Sequence, residues 1–167
     1  MLSTLLPLQN MNKIKYFVMD VDGTLTDGKI YIGSEGEMMK AFSIKDGYGI
    51  HDLLLPAGIT PVILTGRKSR IVENRCCELG IKEIYQGISN KRETLLSFAG
   101  DLSCVAYIGD DLNDMPCMTA VKNAGGTVGC PADAVAAVKA AADFVSTKNG
   151  GEGAVREFIE WILNAGS

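Results

Sequence analysis

The sequence has almost no histidine and no cysteine pairs at metal-binding spacing. His51 is the only histidine among 167 residues, and two of the five cysteines, Cys76 and Cys77, are adjacent. With no C-x-x-C pair and no His/Cys cluster, a zinc site is not expected. An odd cysteine count argues against a disulfide framework and for reduced thiols in a cytoplasmic protein. Excess positive charge is missing too: 16 Lys and Arg stand against 20 Asp and Glu, a net charge of −4. That excludes a general attraction to nucleic acid or anionic membranes, so an anionic ligand needs a locally positive site. No apolar run is long enough to span a bilayer. The opening stretch, MLSTLLPLQNMN, lacks the basic start and long apolar core of a signal peptide. Residues 1–12 read as a flexible N-terminal extension.

What the chain does have is apolar residues, 47% of the total, in a length that suits one domain over 13–167. Short β-favouring runs alternate with helical segments. Strands are expected at Tyr16–Met19, Thr60–Leu64, Ile84–Gln86, Val105–Ile108, within Gly125–Gly129, and at Phe144–Ser146. Helices are expected from Asp46 as N-cap to about Leu55, from about Ser69 to Leu79, and from Lys91 to about Phe98. Others are expected from near Asn113 through Val121, over Ala132–Ala142, and over Ala154–Leu163. Strand–helix alternation implies right-handed crossovers and an α/β fold with a doubly wound parallel sheet. Residues 29–42 read instead as a β-hairpin, with Gly33–Gly36 at the turn and Met38–Phe42 returning.

The chemistry concentrates at predicted strand ends. Tyr16–Met19 runs straight into Asp20, Asp22, Gly23 and Thr24. In an open α/β sheet such residues stand in the ligand crevice. Two carboxylates so close repel unless a cation or proton separates them, which asks for a hard, oxygen-seeking ion such as Mg²⁺. Thr65 and Gly66 follow the next core strand, where a helix N-terminus would favour an anion. Lys91 opens a helix, and Asp110, Asp111 and Asp114 follow the strand at Val105. Taken singly, Thr65 and Asn113 read as helix caps, Lys91 as a surface lysine, and Asp114 as a charge complementing a helix start.

Together these four elements resemble the four motifs of the haloacid dehalogenase (HAD) phosphohydrolases, and the resemblance runs from about Lys13 onward. It implies a Rossmann-like HAD sheet with the hairpin in place of a cap domain. It implies catalysis by Asp20 as nucleophile and Asp22 as general acid/base, with Thr65 and Lys91 holding the phosphoryl group. Asp20, the Asp22 carbonyl and Asp110 would bind Mg²⁺, supported by Asp111, Asn113 and Asp114. The stretches FSIKDGYGI, LTGRKSRIVENRCCELGI and GGEGAVREF further resemble the capless family of 3-deoxy-D-manno-octulosonate 8-phosphate (KDO 8-phosphate) phosphatases, which serves KDO and lipopolysaccharide biosynthesis. That resemblance implies a phosphorylated sugar-acid substrate and a homotetramer with sites at subunit interfaces. The hairpin would serve assembly, and residues 150–167 would form a closing segment and helix. Ser43, Lys45, Asp46, Gly47, Gly66, Arg67 and Arg75 would contact substrate. Arg67 and Arg75 lie about two helical turns apart, so both could face one side of the region after Thr65. Two alternatives stand beside this one: a phosphatase of a sialic-type 9-phosphate, against which Arg67 argues, and a non-catalytic HAD-like binding or assembly module. His51 departs from the pattern, standing where family members often carry arginine.

Overall fold

The computed structural model describes residues 14–165, so the expectation for residues 1–12 lies outside the described residues. In chain order its strands are β1 (Tyr16–Met19), β2 (Tyr31–Gly33), β3 (Gly36–Met39), β4 (Thr60–Leu64), β5 (Glu83–Tyr85), β6 (Val105–Ile108), β7 (Thr127–Cys130) and β8 (Phe144–Val145). The helices are α1 (Ile44–Tyr48), α2 (Arg70–Leu79), α3 (Lys91–Ala99), α4 (Met115–Asn123), α5 (Ala136–Ala141) and α6 (Ala154–Ala165). A π-helical stretch, Gly49–Leu54, continues α1.

Six strands form one sheet in the order β5-β4-β1-β6-β7-β8, and all its pairings are parallel. The chain runs outward from β1 through β4 to β5, then returns to the other side of β1 at β6. That reversal opens a crevice at the C-terminal ends of β1 and β6, where ligands bind in such sheets. Successive side chains of a strand point to opposite faces, and the two cores follow this alternation. Phe17, Met19 and Ile63 pack with Phe158 and Ile159 of α6 on one face. Val18, Val62 and Tyr107 pack with Leu95 and Met118 on the other. Apolar residues on both faces are what a parallel sheet between helix layers requires. Burying each large apolar side chain contributes roughly 1.5–3 kcal/mol.

Strands β1, β4 and β6 coincide with the sequence expectation; other boundaries move. The hairpin returns over Gly36–Met39, two residues early, because the turn tightens around Gly36 at φ 111°. Ser43, not Asp46, caps α1, its hydroxyl accepting from Lys45 N at 3.2 Å. Asp46 is instead buried and accepts from Arg156 N at 2.9 Å, capping the start of α6 from a distant part of the chain. Alanine content over 132–142 suggests a longer helix than forms, because Val135 is extended (ψ 151°) and α5 begins only after it. The helix expected at Asn113 starts as a 3-10 turn, Leu112–Asp114, and becomes α4 at Met115. Pro116 sits in the first turn of α4, where its missing N–H costs nothing.

Candidate active site

Asp20 leaves the end of β1, and its backbone N–H donates to Ile108 O on β6 at 3.1 Å. The side chain is buried, and Oδ1 accepts from Lys91 Nζ at 2.8 Å. Lys91, the first residue of α3, also donates to Asp114 Oδ1 at 2.8 Å. It is buried and far from a surface lysine. Burial alone would lower its pKa; the carboxylates of Asp20 and Asp114 win, and the ammonium is held above its ordinary value.

Asp114 has every lone-pair direction engaged. Oδ1 accepts from Lys91 and from the Tyr107 hydroxyl at 2.7 Å; Oδ2 accepts from the backbone N–H groups of Asp110 at 3.0 Å and Asp111 at 3.3 Å. It orients Lys91 and the loop after β6, and also closes a capping box with Asp111. Tyr107 is the participant that sequence reasoning passes over. It reads as one more apolar residue of a strand, and its only signal is a hydroxyl in an otherwise apolar run. Burial, then Asp114, hold that hydroxyl protonated well above the ordinary tyrosine range.

Asp110 follows β6 and faces Asp20 across the crevice. Its Oδ1 accepts from Thr24 Oγ1 at 3.0 Å. Gly23, at φ 95°, admits this approach: a Cβ there would stand 2.0 Å from Asp110 Oδ2. Burial and the neighbouring anions push Asp20 up to about 6 and Asp110 to about 8. Oxygens of Asp20, Asp110 and Asp114 lie within 4.8 Å of one another. Asp114 is already saturated with hydrogen bonds, so Asp20 and Asp110 are the carboxylates available to a cation. One buried and one half-buried carboxylate that resist ionising together, both hard oxygen donors, fit Mg²⁺.

Around Asp20 lies an open cleft of about 120 Å³, lined also by Asp22, Thr65, Gly66, Arg67, Asp111 and Asn113. Thr65 is buried at the end of β4. The expectation that it borders a helix N-terminus is corrected: α2 starts at Arg70, with Ser69 at the N-cap, so the anion-facing atoms here belong to a turn. Asp22 Oδ1 accepts from Lys40 Nζ at 2.5 Å, and Arg67 Nε lies 3.7 Å from Asp22 Oδ2. Lys40 comes from the hairpin side, and nothing local in the sequence marks it.

The remaining candidates gather elsewhere. Ser43, Asp46, Gly47 and Arg75 line a separate small cavity between α1 and α2. Arg75 bonds Glu78 at 3.0 Å and lies over the Phe42 ring. It does not share a face with Arg67, which stands before α2 rather than on it. Lys45 is exposed. His51 is about half exposed, 3.4 Å from Asp52 and outside the cleft. Gly150 and Gly151 pack directly on the loop after β1. Gly151 N donates to Thr24 O at 3.1 Å, and a Cβ on Gly150 would meet Gly23 O at 1.9 Å.

No family model matches the chain. It is 44% identical over 156 residues to the 3-deoxy-D-manno-octulosonate 8-phosphate phosphatase KdsC of Escherichia coli K12, spanning 91% of this chain and 80% of that protein. The Yersinia pestis KdsC is 41% identical, over 95% of this chain and 84% of its own length. A structure of the Moraxella catarrhalis phosphatase with magnesium ion, phosphate ion and KDO superposes with TM-score 0.85 at 43% identity, covering 95% of this chain and 90% of the other. The cobalt-bound Haemophilus influenzae phosphatase superposes with TM-score 0.85 at 40% identity, covering 95% and 92%. This chain belongs to the KDO 8-phosphate phosphatase family of the HAD superfamily.

Proposed function

We propose that this member of the family is a Mg²⁺-dependent phosphomonoesterase that hydrolyses 3-deoxy-D-manno-octulosonate 8-phosphate to KDO and phosphate. One observation carries the reaction type: a buried carboxylate, Asp20, held by Lys91 at 2.8 Å and lining an open cleft at the strand ends, has an oxygen within 4.8 Å of one on a half-buried carboxylate, Asp110. The relatives' substrate carries the choice of ester.

Asp20 attacks phosphorus, and the bond from phosphorus to the sugar oxygen breaks. Asp22, as the acid, gives its proton to the departing alkoxide. A water then attacks the phosphorus of the aspartyl-phosphate while Asp22 takes its proton. Phosphate leaves, and the Asp20 carboxylate is restored. Lys91 neutralises charge on Asp20 and on the phosphoryl oxygens, and Asp114 and Tyr107 hold Lys91 in place. Thr65 and the Gly66 N–H orient the phosphoryl group; Asp111 and Asn113 line the opposite wall. Mg²⁺, held by Asp20, Asp110 and the Asp22 carbonyl, supplies charge neutralisation at the phosphoryl oxygens.

The working form is a cytoplasmic homotetramer. Its support is the exposed apolar surface: Ile32, Met38 and Met39 of the hairpin and Ile44 of α1 are 54–82% exposed. An isolated two-stranded hairpin is marginal by itself. Ser43, Lys45, Gly47 and Arg75 lie next to this surface and outside their own cleft, so they act on substrate in a neighbouring subunit. Asp46 positions that turn through its bond to α6. Residues 150–156 close the site from behind the loop after β1. Five free cysteines accord with a reducing compartment.

Phosphate release from KDO 8-phosphate, a sialic-type 9-phosphate and simple sugar phosphates, with Mg²⁺ or EDTA, tests the reading. Mg²⁺-dependent preference for KDO 8-phosphate is expected. Faster turnover of the nine-carbon ester would overturn the substrate assignment, and no release from any ester would overturn the enzyme assignment.

A further inference from the structure

The loop between β7 and α5 reaches the cation site without lining the cleft. Val135 N donates to Asp110 O at 3.0 Å, and Ala132 N donates to Lys148 O at 2.8 Å. Between these two anchors, Asp133 Oδ1 accepts from Gly150 N at 3.0 Å. The next residue continues the path: Gly151 N donates to Thr24 O at 3.1 Å, and Thr24 Oγ1 donates to Asp110 Oδ1 at 3.0 Å. Asp110, Thr24, Gly151, Gly150, Asp133 and Val135 thus form a ring closed by four hydrogen bonds and two short stretches of chain.

Asp133 is exposed and outside the cleft walls, yet its carboxylate ties the Gly150–Gly151 turn to the β7–α5 loop. That turn sits tightly on the loop after β1: a Cβ on Gly151, at φ 74°, would stand 2.7 Å from Thr26 C. Backbone packed this closely transmits its position, because it has no side chain to absorb a shift. Thr24 is wholly buried, and its hydroxyl reaches one of the two carboxylates available to a cation. Mg²⁺ demands near-ideal octahedral placement of its oxygen donors. Groups that hold a ligand oxygen in direction are therefore part of the affinity.

We propose that Asp133 is a positioning residue for the Mg²⁺ site: by holding Gly150 it fixes the Thr24 hydroxyl, and Thr24 orients Asp110 toward the cation. The assignment rests on the Mg²⁺-dependent phosphatase reading above. Three hydrogen bonds lie between the Asp133 carboxylate and the Asp110 oxygen, so the effect travels through geometry. Removing Asp133 opens the ring at one point. Val135 still holds the Asp110 backbone. What changes is the direction of the Asp110 side chain, and the ligand itself stays in place.

The test is calorimetric Mg²⁺ titration of the substrate-free protein, with phosphate release measured beside it at varied Mg²⁺. The proteins are wild type, Asp133→Ala, Asp133→Asn, Thr24→Val, the Thr24→Val/Asp133→Ala pair, and Asp143→Ala. Direct partners of a metal ligand are worth about 10–100-fold in affinity, so Thr24→Val should weaken Mg²⁺ binding about tenfold and Asp133→Ala, further out, about fivefold. The double variant should be no weaker than Thr24→Val alone, because both changes act on one oxygen. Asp133→Asn keeps an oxygen for the Gly150 N–H and should match wild type. Asp133→Glu, one methylene longer, displaces that oxygen and serves if the alanine variant fails to fold. At saturating Mg²⁺ the kcat of Asp133→Ala should return to the wild-type level. Asp143→Ala loses a carboxylate bond to Val128 N at 3.0 Å at the start of β8 and should leave Mg²⁺ affinity unchanged. Wild-type affinity in Asp133→Ala, equal weakening in Asp133→Asn or Asp143→Ala, or additive losses in the double variant would each overturn the proposal. A wild-type protein that binds Mg²⁺ but cleaves no ester would overturn the phosphatase reading, while the same titrations still decide the role of Asp133. A wild-type protein that binds no Mg²⁺ would overturn both.

Discussion

Tyr107, wholly out of solvent on β6, donates its hydroxyl to Asp114 Oδ1 at 2.7 Å. The same oxygen receives Lys91, so the phenol sits one hydrogen bond behind the lysine that holds Asp20, the proposed nucleophile. Tyr107→Phe deletes only that donor. Hydrogen bonds to charged groups contribute roughly 1.5–3 kcal/mol, and a loss in that range is expected in urea unfolding. Turnover should fall about tenfold through kcat, with KM little changed, because Lys91 loses its alignment rather than its charge. Unaltered kcat would show that Lys91 is aligned without Tyr107.

Asp20→Asn removes the proposed nucleophile while keeping its shape. Phosphate release should drop at least about 10³-fold. The metal-free protein should at the same time become more stable, because an uncharged amide relieves the crowding of Asp20, Asp110 and Asp114. Loss of activity together with loss of stability would point to a structural role.

The raised carboxyls set a pH dependence. Burial, then neighbouring anions, hold Asp20 at about 6 and Asp110 at about 8 in the fold, against an ordinary 3.8. Between 3.8 and those values the folded state binds more protons than the unfolded chain, so stability falls as pH rises through that window. Without Mg²⁺ the melting temperature should therefore climb from pH 8 to pH 5.5. Added Mg²⁺ competes with those protons, so its stabilisation should be large at pH 8 and small at pH 5.5. Thermal melts with and without Mg²⁺ check both trends; a Mg²⁺ shift independent of pH would remove Asp20 and Asp110 from the cation site.

Asp46 caps α6 across the chain. Asp46→Ala should cost about 1–2 kcal/mol, as loss of a helix cap does. Asp46→Asn still offers an oxygen and should keep most of that. Burial raises the Asp46 carboxyl to about 6 despite the backbone N–H groups of Arg156, Gly153 and Val155. Its ionisation therefore weakens the fold as pH rises from 3.8 through 6, and the asparagine variant should lose that part of the slope. Equal stability of all three proteins in denaturant titrations would show that the bond is dispensable.

Met38 is 69% exposed on the hairpin. Met38→Glu should break the proposed tetramer, seen as a lower mass in light scattering, and should raise KM if a neighbouring subunit supplies substrate contacts. An unchanged mass would place the interface elsewhere.

The chain of residues determines much of this by itself. The runs YFVM, TPVIL and VAYI are apolar on both faces and short, so they form buried parallel strands wherever helices cover them, and β1, β4 and β6 follow. The carboxylates and glycine directly after β1 lie at a strand end by covalent connection, which makes Asp20, Asp22 and Gly23 legible before folding. Residues whose role depends on what folds against them are not legible in this way. Asp46 looks like a local cap until α6 arrives from over a hundred residues later. Arg67 and Arg75 look like partners until the turn before α2 sends them to different cavities. Lys40 and Glu37 look like surface charge until the hairpin lays them beside Asp22. Local propensity and chain connectivity are properties of neighbours in sequence; a buried charge finds its partner only when tertiary packing removes water from both.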